Sequence, residues 1–562
     1  EKELVDRNVE RFKEVLKLLQ ISNDYFIRTT DKNRHWPGVR ELWKRCEKSG
    51  DIYKKKYTGL YCVGCEAFIT EKDLKNGLCP EHLKPPEKVS EENYFFRLSK
   101  YQKTLEKLIS SNELKIIPEV RKNEILSFIR SGLNDFSISR PRERMKNWGI
   151  PVPGDETQII YVWFDALSNY ITALGFGTSK HEKFKKYWPA DVHVIGKGIT
   201  RFHAVYWPAM LLSAGLPLPK CIFVHGYVTV NGQKMSKSLG NVINPKDVIE
   251  EYGCDALRYY MLREIPTFED GDFSEETLVN RINDELVANI GNFIYRVLSF
   301  IDRYFKRKVP KPEKFTKMDE ELIEKIREKC EVVAKFVEEF KLREGLLEIL
   351  SLSSDGNKYF QDNKPWELIK KDKKRCGTVL YICVNLCRTL GILLYPYLPG
   401  LSERLFKQLN LKEKICWKDI HKLKIRQGHE IGKPKILVKK LEIVESSKHL
   451  GGEKKMISFD EFKRVEMRVG RVVKVEDIPQ AKKLYKLRVD FGGGEIKQAV
   501  AGLKPYYKPE ELEGKQFVFV TNLEPKKLMG ELAEVMILAA VKEDKVVLVK
   551  PEKDIENGAR IE

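Results

Sequence analysis

The chain has 562 residues, with 101 Lys and Arg against 82 Asp and Glu and a formal net charge of +19. One hydrophobic core rarely supports this length, so about three to four structural units are expected. An apolar fraction of 42% and a charged fraction of 33% exclude a disordered chain and a membrane chain. The basic charge favours a polyanionic partner such as nucleic acid, although Lys-rich surfaces also serve solubility.

The cysteine content indicates a reducing compartment. Eleven Cys is an odd number, and no secretory signal precedes them, so we expect free thiols in the cytoplasm and no disulfides. The most apolar window, residues 378–398, is interrupted by Asn385 and Arg388 and predicts a buried helix, not a membrane span. Cys383 and Cys387 lie four residues apart in this helix, which predicts two buried thiols.

The N-terminal region begins with a helical pattern and then changes character. Residues 1–56 have a helical apolar stripe that includes Leu4, Val9 and Phe12. Residues 57–87 are rich in turns and contain a C-x2-C…C-x2-H pattern. Four ligands in two short pairs can converge tetrahedrally on Zn²⁺ and leave no open position, which is typical of a structural site. The alternative is four unrelated residues in a turn-rich segment. The predicted ligands are Cys62, Cys65, Cys79 and His82.

The rest of the chain falls into four regions that differ in sequence pattern. Residues 94–129 predict charged helix, and short apolar runs alternating with helical segments over 138–230 predict parallel α/β structure. From 272 to about 400 the pattern is helical, which favours an all-α bundle. Residues 421–455 are Lys-rich and predict a basic linker, and alternating runs over 458–562 predict a small β-barrel.

The pentad Lys234–Ser238 reads KMSKS and is followed by Leu239-Gly240-Asn241. Two lysines on a loop near glycines can place positive charge where a phosphoryl transition state spreads negative charge, and the serines can donate to phosphate. A plain solvated turn is the alternative for such a string in isolation. Because the pentad follows an α/β segment and precedes residues 255–260, DALRYY, it resembles the KMSKS signature of class I aminoacyl-tRNA synthetases.

Segments on either side of the pentad narrow this resemblance. Residues 148–153, 161–170 and 202–210 are similar to methionyl-tRNA synthetases of the one-zinc-knuckle type, and the likeness covers essentially the whole chain. The implied fold is a partial Rossmann-type α/β catalytic domain with a zinc-knuckle insertion, an all-α anticodon-binding bundle and a C-terminal OB-fold β-barrel. The implied domains are 1–56 for the rest of the first Rossmann half, 57–137 for the insertion, 138–232 for the second half, 233–275 for the KMSKS loop and stem-contact region, 276–420 for the anticodon-binding domain, 421–455 for the linker and 456–562 for the OB-fold.

The resemblance also implies site residues. For methionine, aromatic edges suit an apolar, polarizable thioether, and a polar tip can exclude isosteres; plain core aromatics are the alternative. The implied methionine pocket consists of Trp163, Ala166, Leu167, Tyr170, Ile199 and His203. The implied ATP-binding residues are Lys234, Met235, Ser236, Lys237, Ser238, His225 and Gly226, with Lys234 and Lys237 as the catalytic pair.

Three residues of the helical bundle are implied at the anticodon. Trp366 would stack on an unpaired base, while Asn292 and Arg296 would read base edges, as is usual for single-stranded RNA. Without the resemblance, Pro365 and Trp366 would be interpreted as a packing pair at a helix start. In the C-terminal unit, residues 464–470 and 522–530 look like the OB-type tRNA-binding domain, which in the family commonly mediates homodimerisation as well. A barrel used only to pair subunits is the alternative.

The chain departs from the family at two places. In the family, the HIGH-type histidine signature should precede Glu1, and no such string occurs in the sequence. Without it, the phosphates of the nucleotide would be contacted from the lysine side only. We therefore expect a truncated fragment that cannot activate methionine alone. In Gly196-Lys197-Gly198, relatives usually carry an acidic residue at the third place, which puts a polar contact near the adenylate in doubt.

The implied activity is that of a methionine–tRNA ligase in translation. Methionine and ATP, with Mg²⁺, would form an adenylate and pyrophosphate, and the methionyl group would pass to tRNA(Met). One alternative is a synthetase for valine or isoleucine. Those enzymes carry a large editing insertion between the two Rossmann halves, whereas here the second half already begins by about Ile138. A rival of another class is a non-catalytic tRNA-binding or chaperone protein built from synthetase parts, which would need neither the pentad nor the pocket motifs.

Overall fold

The structure is a computed structural model, and it divides into two units, residues 1–452 and 453–562. The residues that it describes are 2–62, 67–69, 74, 77–79, 84–230, 232–235, 241–412, 414–442, 462–478, 481, 483–528, 530–542 and 545–561. Two clusters of buried apolar side chains form the interior of the first unit among these residues, and a third cluster forms that of the second.

The first part of unit one contains three sheets and the helices around them. Its elements are α1 (Lys2–Leu18), α2 (His35–Lys48), β1 (Ile52–Cys62), β2 (Ala67–Ile69), β3 (Glu87–Phe96), a 3-10 helix (Leu98–Tyr101), α3 (Gln102–Ser110), β4 (Lys115–Ile117), α4 (Glu119–Arg130), β5 (Phe136–Ser137), β6 (Ser139–Pro141), β7 (Pro151–Val152), β8 (Asp155–Ile160), α5 (Val162–Leu167), α6 (Asn169–Thr172), α7 (Glu182–Tyr187), β9 (His193–Gly196), a 3-10 helix (Lys197–Ile199), a π-helix (Phe202–Tyr206), α8 (Trp207–Ser213) and β10 (Cys221–His225).

The N-terminal helical pattern ends earlier than its periodicity predicts. α2 stops at Lys48, and Gly50 follows with a φ of 71°, a left-handed conformation that ends a helix. The chain then enters β1, which pairs antiparallel with β3 from Ile52 to Tyr61. The prediction of helix over 1–56 is therefore wrong for its last eight residues, 49–56, and for residues 19–34 between α1 and α2.

A parallel sheet forms the centre of this part. Its strand order is β4-β10-β9, and the register places Gly196 beside His225 at the carboxyl ends of β9 and β10. β9 and β10 confirm the predicted parallel strands. β4 was missed, because Lys115–Ile117 is too short to stand out between two charged helices.

The strands that precede β9 are antiparallel instead. β8 pairs with β6 on one side and β7 on the other, so this part of the predicted parallel α/β region is wrong. The apolar run 159–164 is not one strand: it leaves the sheet after Ile160, and the Tyr161 carbonyl accepts the N–H groups of Phe164 and Asp165, which begins α5.

A small sheet and two helices lead from β10 into an all-α region, which confirms the predicted bundle. The elements are β11 (Val228–Val230), β12 (Gln233–Lys234), α9 (Pro245–Tyr252), α10 (Cys254–Arg263), β13 (Gly271–Asp272), α11 (Glu275–Arg281), a π-helix (Ile282–Gly291), α12 (Asn292–Phe305), α13 (Lys317–Glu338), α14 (Leu342–Asn363), α15 (Pro365–Lys371), α16 (Lys373–Leu394), α17 (Pro399–Gln408) and a 3-10 helix (Trp417–Asp419).

α16 is the central helix of the bundle. Of the part of the chain that the structure describes, it is the one helix long and apolar enough to span a membrane, and 94% of its most apolar window is buried. Cys383 and Cys387 are both fully buried, as predicted, and burial raises the pKa of both thiols. The predicted buried helix is confirmed.

The first part of the predicted basic linker packs against the bundle. Ile425, Ile431 and Leu437 are buried, and the Asn385 side chain exchanges hydrogen bonds of 2.9 and 3.2 Å with the Ile425 backbone. Residues 421–442 therefore belong to the bundle core, and 443–455 lie outside the described residues.

The second unit is a strongly bent antiparallel sheet that nearly closes into a barrel. Its main sheet has the order β16-β15-β14-β17-β20, and a bridge between Ala499 and Val535 brings β16 towards the other edge. This architecture confirms the predicted small barrel. The elements are β14 (Met467–Asp477), β15 (Tyr485–Asp490), β16 (Ile496–Ala501), α18 (Pro509–Leu512), β17 (Gln516–Val520), β18 (Lys526–Leu528), β19 (Glu531–Ala533), β20 (Met536–Ile537), β21 (Ala539–Lys542) and β22 (Lys545–Leu548).

Candidate functional site

The candidate site lies at the carboxyl ends of β9 and β10. In open α/β sheets, ligands bind in the crevice outside these strand ends. Here β9 leads into Lys197-Gly198-Ile199, and β10 leads into Gly226-Tyr227. The two segments therefore start side by side, and they contain Ile199 and Gly226 of the predicted ligand contacts.

Two lysines lie over one aromatic ring at this edge. The ammonium groups of Lys197 and Lys234 are each 4.9 Å from the centre of the Tyr227 ring. Lys197 also pairs with Asp270 at 2.7 Å, and this pair holds the pKa of the Asp270 carboxyl below its usual value. The arrangement concentrates positive charge beside the strand ends, where it can meet phosphate.

Two glycines allow the backbones to approach closely here. A Cβ on Gly226 would clash with the Glu269 carbonyl, and a Cβ on Gly198 would clash with the Tyr227 hydroxyl. The Tyr227 ring thus reaches into the space that a side chain at position 198 would occupy.

Only part of the KMSKS segment is described. Lys234 ends β12, which pairs with β11, and Met235 packs against the bundle core. Ser236, Lys237 and Ser238 lie outside the described residues. His225 is exposed, and its Nδ1 is 2.7 Å from the Gly226 carbonyl oxygen.

An aromatic pocket lies next to the lysines. Trp163 on α5 stacks on Phe202 with a centroid distance of 3.8 Å and an interplanar angle of 8°. Tyr170 on α6 and His203 on the π-helix meet through the Tyr170 hydroxyl, which is 2.8 Å from His203 Nε2. The structure therefore brings together Trp163, Tyr170 and His203 as the sequence predicts.

The hydrogen bonds of His203 define its tautomer. Its Nδ1 lies 3.0 Å from the Ile199 carbonyl, which can only accept, so Nδ1 carries the proton. Nε2 is then an acceptor, and the Tyr170 hydroxyl donates to it. Burial lowers the pKa of His203 and raises the pKa of Tyr170 to about 12, so both groups are neutral near pH 7.

The two other predicted pocket residues on α5 differ in burial. Leu167 is 1% exposed and belongs to the hydrophobic core. Ala166 is partly buried on the same helix. Leu167 can support the pocket from behind and is not an exposed lining residue.

The structure also adds residues that the sequence did not single out. His193 on β9 lies against Tyr170 with a centroid distance of 4.0 Å, and its Nε2 accepts from Trp207 Nε1 at 3.2 Å. Burial, together with His203, lowers the pKa of His193 to about 3. Alternation along β9 was the available signal, because His193 and Ile195 face the same side.

A further buried histidine, His35, contacts the two helices that carry pocket residues. His35 on α2 is fully buried, contacts Asp165 through Nε2, and lies 2.7 Å from Thr172 Oγ1 through Nδ1. Burial raises the pKa of Asp165, and His35 opposes that rise. Since Asp165 is on α5 and Thr172 ends α6, His35 ties together the two helices that carry Trp163 and Tyr170.

The predicted anticodon residues lie on the bundle. Arg296 lies 4.7 Å above the Phe360 ring and donates to the Gln361 side chain at 3.2 Å, while Trp366 lies 6.4 Å from Phe360. Asn292 is exposed one turn before Arg296 on α12, and Trp366 is 36% exposed. The bundle thus presents a cation and an accessible aromatic ring on the two sides of Phe360.

The predicted zinc knuckle is described in part. Cys62 ends β1 opposite Ala67 of β2, so the C-x2-C pair begins at the tip of a hairpin. Cys62 and Cys79 are both buried, at 3% and 1% exposure. Cys65 and His82 lie outside the described residues.

Comparison with protein families gives three matches along the chain. The family described as tRNA synthetases class I (M) matches residues 1–85 and 71–298. The anticodon binding domain of methionyl tRNA ligase matches residues 309–451, and a putative tRNA binding domain matches 467–560.

Curated relatives and solved structures agree with these matches. The methionine–tRNA ligase of Caldanaerobacter subterraneus subsp. tengcongensis is 43% identical over 100% of this chain and 89% of its own length, and that of Thermotoga maritima is 41% identical over the same shares. The Mycobacterium tuberculosis methionyl-tRNA synthetase in complex with methionyl-adenylate has a TM-score of 0.74 at 38% identity, covering 78% of this chain and 86% of that chain.

Proposed function

Because the chain belongs to the methionyl-tRNA synthetase family of class I synthetases, we propose that it activates methionine with ATP and transfers it to tRNA(Met) at the carboxyl ends of β9 and β10. The observation that carries this site is the neutral Tyr170–His203 pair beside the lysines that flank Tyr227.

The pocket suits a thioether side chain. Trp163, Tyr170 and His203 offer polarizable ring edges, and both polar groups are already engaged with each other. A thioether can be buried in this pocket without a hydrogen-bond partner, whereas a charged or strongly polar side chain would lose its hydration and gain no partner in exchange.

The lysine side suits a triphosphate that enters as its Mg²⁺ complex. The methionine carboxylate would attack the α-phosphorus in line, a new acyl–phosphate bond would form, and the bond to pyrophosphate would break. Lys234 and Lys237 would counter the charge on the leaving group, with Met235, Ser236, Ser238, His225 and Gly226 around the nucleotide. Tyr227 would hold Lys234 in place through its ring.

The bundle and the barrel would supply the contacts to tRNA. Trp366 would stack on an anticodon base, and Asn292 and Arg296 would read base edges. The barrel would bind the tRNA backbone, and two copies of the chain would associate through it. A cytoplasmic location and the division of the chain into seven ranges stay predictions.

We also keep the structural zinc site as a proposal. Cys62, at the tip of the β1–β2 hairpin, and Cys79 are both buried thiols, which fit a metal that binds soft ligands. Cys62, Cys65, Cys79 and His82 would hold Zn²⁺, which would fix the hairpin that β1 and β2 begin.

The polypeptide 1–562 by itself is not expected to catalyse methionine activation, because no HIGH-type string occurs in it. Measurable ATP–pyrophosphate exchange by this polypeptide would refute that expectation. Assays of chemistry therefore use the enzyme with a HIGH-type segment of the family joined ahead of Glu1.

An aminoacylation panel tests the proposed function. Methionine, valine and isoleucine are compared with tRNA(Met) as acceptor. We expect charging with methionine to exceed charging with valine or isoleucine by at least roughly 100-fold, because a pocket matched to one side chain discriminates by a few kcal/mol. Equal charging with all three, or charging with none, would contradict the assignment, and tRNA binding without charging would support the non-catalytic rival.

A further inference from the structure

The hydroxyl of Tyr227 is a polar group that none of the roles assigned above uses. Tyr227 is half-buried, and its ring lies 4.9 Å from the ammonium groups of both Lys197 and Lys234. Among the residues that the structure describes, its hydroxyl has no hydrogen-bond partner. A phenol can donate one hydrogen bond and accept others, so this hydroxyl is available to a ligand that enters the crevice.

The backbone and the two cations fix the position of the Tyr227 ring. The N–H group of Tyr227 donates to Asp270 Oδ1 at 2.9 Å, and its carbonyl accepts from the Gly271 N–H group at 3.0 Å. Asp270 also pairs with Lys197 at 2.7 Å, so one carboxylate holds both the backbone of Tyr227 and a cation beside its ring. A donor that is oriented before the ligand binds is the kind that stabilises a transition state.

Gly198 leaves free the space that the hydroxyl occupies. Its φ lies outside the left-handed region, so the backbone conformation does not require a glycine here. A Cβ at this position would lie 2.1 Å from the Tyr227 hydroxyl oxygen and 3.4 Å from the Cζ that carries this oxygen. The oxygen alone therefore excludes a side chain at 198, because a ring without it would be in ordinary van der Waals contact with an alanine.

The hydroxyl lies between the two halves of the proposed site. Lys197 is on the phosphate side, and two residues later the Ile199 carbonyl accepts from His203 Nδ1 of the methionine pocket at 3.0 Å. Gly198 joins the two, and the hydroxyl packs against it. Among the groups of the two substrates, the one that lies between the methionine side chain and the leaving pyrophosphate is the α-phosphate.

We propose that the Tyr227 hydroxyl donates a hydrogen bond to a non-bridging oxygen of the α-phosphate during methionine activation. The inference rests on the proposed function and adds a substrate-contacting residue to it. A carboxylate oxygen of methionine bonds to the α-phosphorus, and the bond to pyrophosphate breaks with its electron pair leaving on pyrophosphate. Tyr227 keeps its proton throughout. Its hydrogen bond offsets negative charge on the oxygens that stay on the phosphorus.

Removal of the hydroxyl tests this contact in the enzyme with the HIGH-type segment. Tyr227→Phe keeps the ring that lies beside both lysines, and it should lower kcat of ATP–pyrophosphate exchange roughly 10- to 100-fold, because a hydrogen bond to a charged group is lost. KM for methionine and for ATP should change less than about threefold. Tyr187→Phe removes the hydroxyl of an exposed tyrosine and is the control, with exchange as in wild type.

Two results of this experiment would overturn the inference. An unchanged kcat in Tyr227→Phe would show that the hydroxyl does not act in activation, and a rise in KM for methionine alone would place it at the amino acid. Denaturant unfolding separates contact from structure. The midpoint of Tyr227→Phe should equal that of wild type, and a lower midpoint would give the hydroxyl a structural role instead.

A double-mutant cycle tests the dependence of Gly198 on the hydroxyl. Gly198→Ala should lower kcat at least as much as Tyr227→Phe, because the new Cβ displaces the oxygen. Gly198→Ala/Tyr227→Phe should exchange at about the rate of Tyr227→Phe alone. Gly502→Ala, at a glycine with open space around it and no left-handed φ, is the control. Losses that multiply in the double variant would contradict the inference.

The wild-type enzyme separates this inference from the proposed function. If wild type exchanges in a methionine-dependent manner and Tyr227→Phe does so at the same rate, the inference alone is wrong. If wild type shows no exchange with methionine, the proposed function is wrong, and the inference falls with it.

Discussion

Burial sets the protonation state of the histidines around Tyr170. His193 and His203 are both buried, and their pKa values are lowered because a charged imidazole would lose its hydration. The neutral His203 can then accept a hydrogen bond from the Tyr170 hydroxyl through Nε2. A pocket that stays neutral at physiological pH is suited to an uncharged side chain.

This burial predicts a pH-dependent stability. A histidine whose pKa is about 3 in the folded protein and 6.5 when unfolded binds its proton only in the unfolded chain between those values. The contribution of His193 to the free energy of unfolding is therefore fully present above pH 6.5 and is lost as the pH drops towards 3. Between pH 6.5 and 5.0, His193 should account for up to about 2 kcal/mol of that loss.

Denaturant unfolding at the two pH values measures this contribution. His193→Gln keeps an acceptor for Trp207 and cannot be protonated, so it should lose less stability on acidification than wild type. His181→Gln, at an exposed position, is the control and should behave as wild type. An identical loss in all three proteins would show that His193 is not buried as a neutral group.

The Tyr170 hydroxyl predicts an effect on methionine recognition. Tyr170→Phe keeps the ring and leaves His203 Nε2 without its donor. A buried acceptor left unpaired costs about 1–3 kcal/mol, so KM for methionine should rise roughly 5- to 100-fold while KM for ATP stays nearly constant. The exchange assay measures both constants, and equal changes in the two would argue against a specific role of the hydroxyl.

At the residue level, the sequence indicates the residues of the pocket but not the buried histidines that pack behind them. Trp163, Tyr170 and His203 lie in long motifs that a family resemblance makes visible. His193 and His35 stand alone in the sequence, and only the pairing of β9 with β10 and the packing of α2 on α6 bring them to the pocket. Leu167 was implied at the pocket by the resemblance alone, and the structure places it in the hydrophobic core.

At the element level, α12, α14 and α15 together form the proposed anticodon surface. Phe360 near the end of α14 lies between Arg296 of α12 and Trp366 of α15. Three helices of a rigid bundle can hold a stacking ring and a cation at fixed spacing, which single-stranded RNA recognition requires.

Replacement of the exposed ring tests this surface. Trp366→Ala should weaken binding of tRNA(Met) by the chain 1–562 roughly 5- to 100-fold, since base–aromatic stacking contributes about 1–3 kcal/mol per base. Tyr187→Ala removes another exposed aromatic side chain, on α7, and is the control. Filter binding or fluorescence titration gives the dissociation constants, and similar values for the two variants would remove Trp366 from the interface.

The hairpin of β1 and β2 carries the metal prediction. The purified chain should contain about one zinc ion per molecule, and Cys79→Ser should contain almost none, because a structural site needs its four ligands. Cys416→Ser changes an exposed thiol outside the knuckle and should leave the zinc content unchanged. Elemental analysis by mass spectrometry measures all three, and a wild type without zinc would refute the site.

Elements whose hydrophobic periodicity continues over many residues were predictable from the sequence, and short or interrupted elements were not. The helical pattern predicted from 272 to about 400 includes α13, which spans Lys317–Glu338 and begins with a capping box of Thr316 and Asp319. β4 has three residues and owes its place to β10, a partner about 100 residues away along the chain. Such pairing leaves little trace in the local sequence.

At the scale of the whole molecule, three family matches follow one another along the chain, and relatives align with all of it. The proposed activity, however, depends on one small region. The aromatic pocket and the lysines meet where β9 and β10 end, and the central claim is that methionine activation occurs there.

Methionine-dependent ATP–pyrophosphate exchange tests that claim most directly, in the enzyme that carries a HIGH-type segment ahead of Glu1. Lys234→Ala should lower the exchange rate roughly 100-fold or more, because it removes positive charge from the phosphates in the transition state. Lys220→Ala removes an exposed lysine of similar charge near the other end of β10 and should exchange as wild type. Exchange that does not depend on methionine, or equal rates in the two variants, would contradict the account.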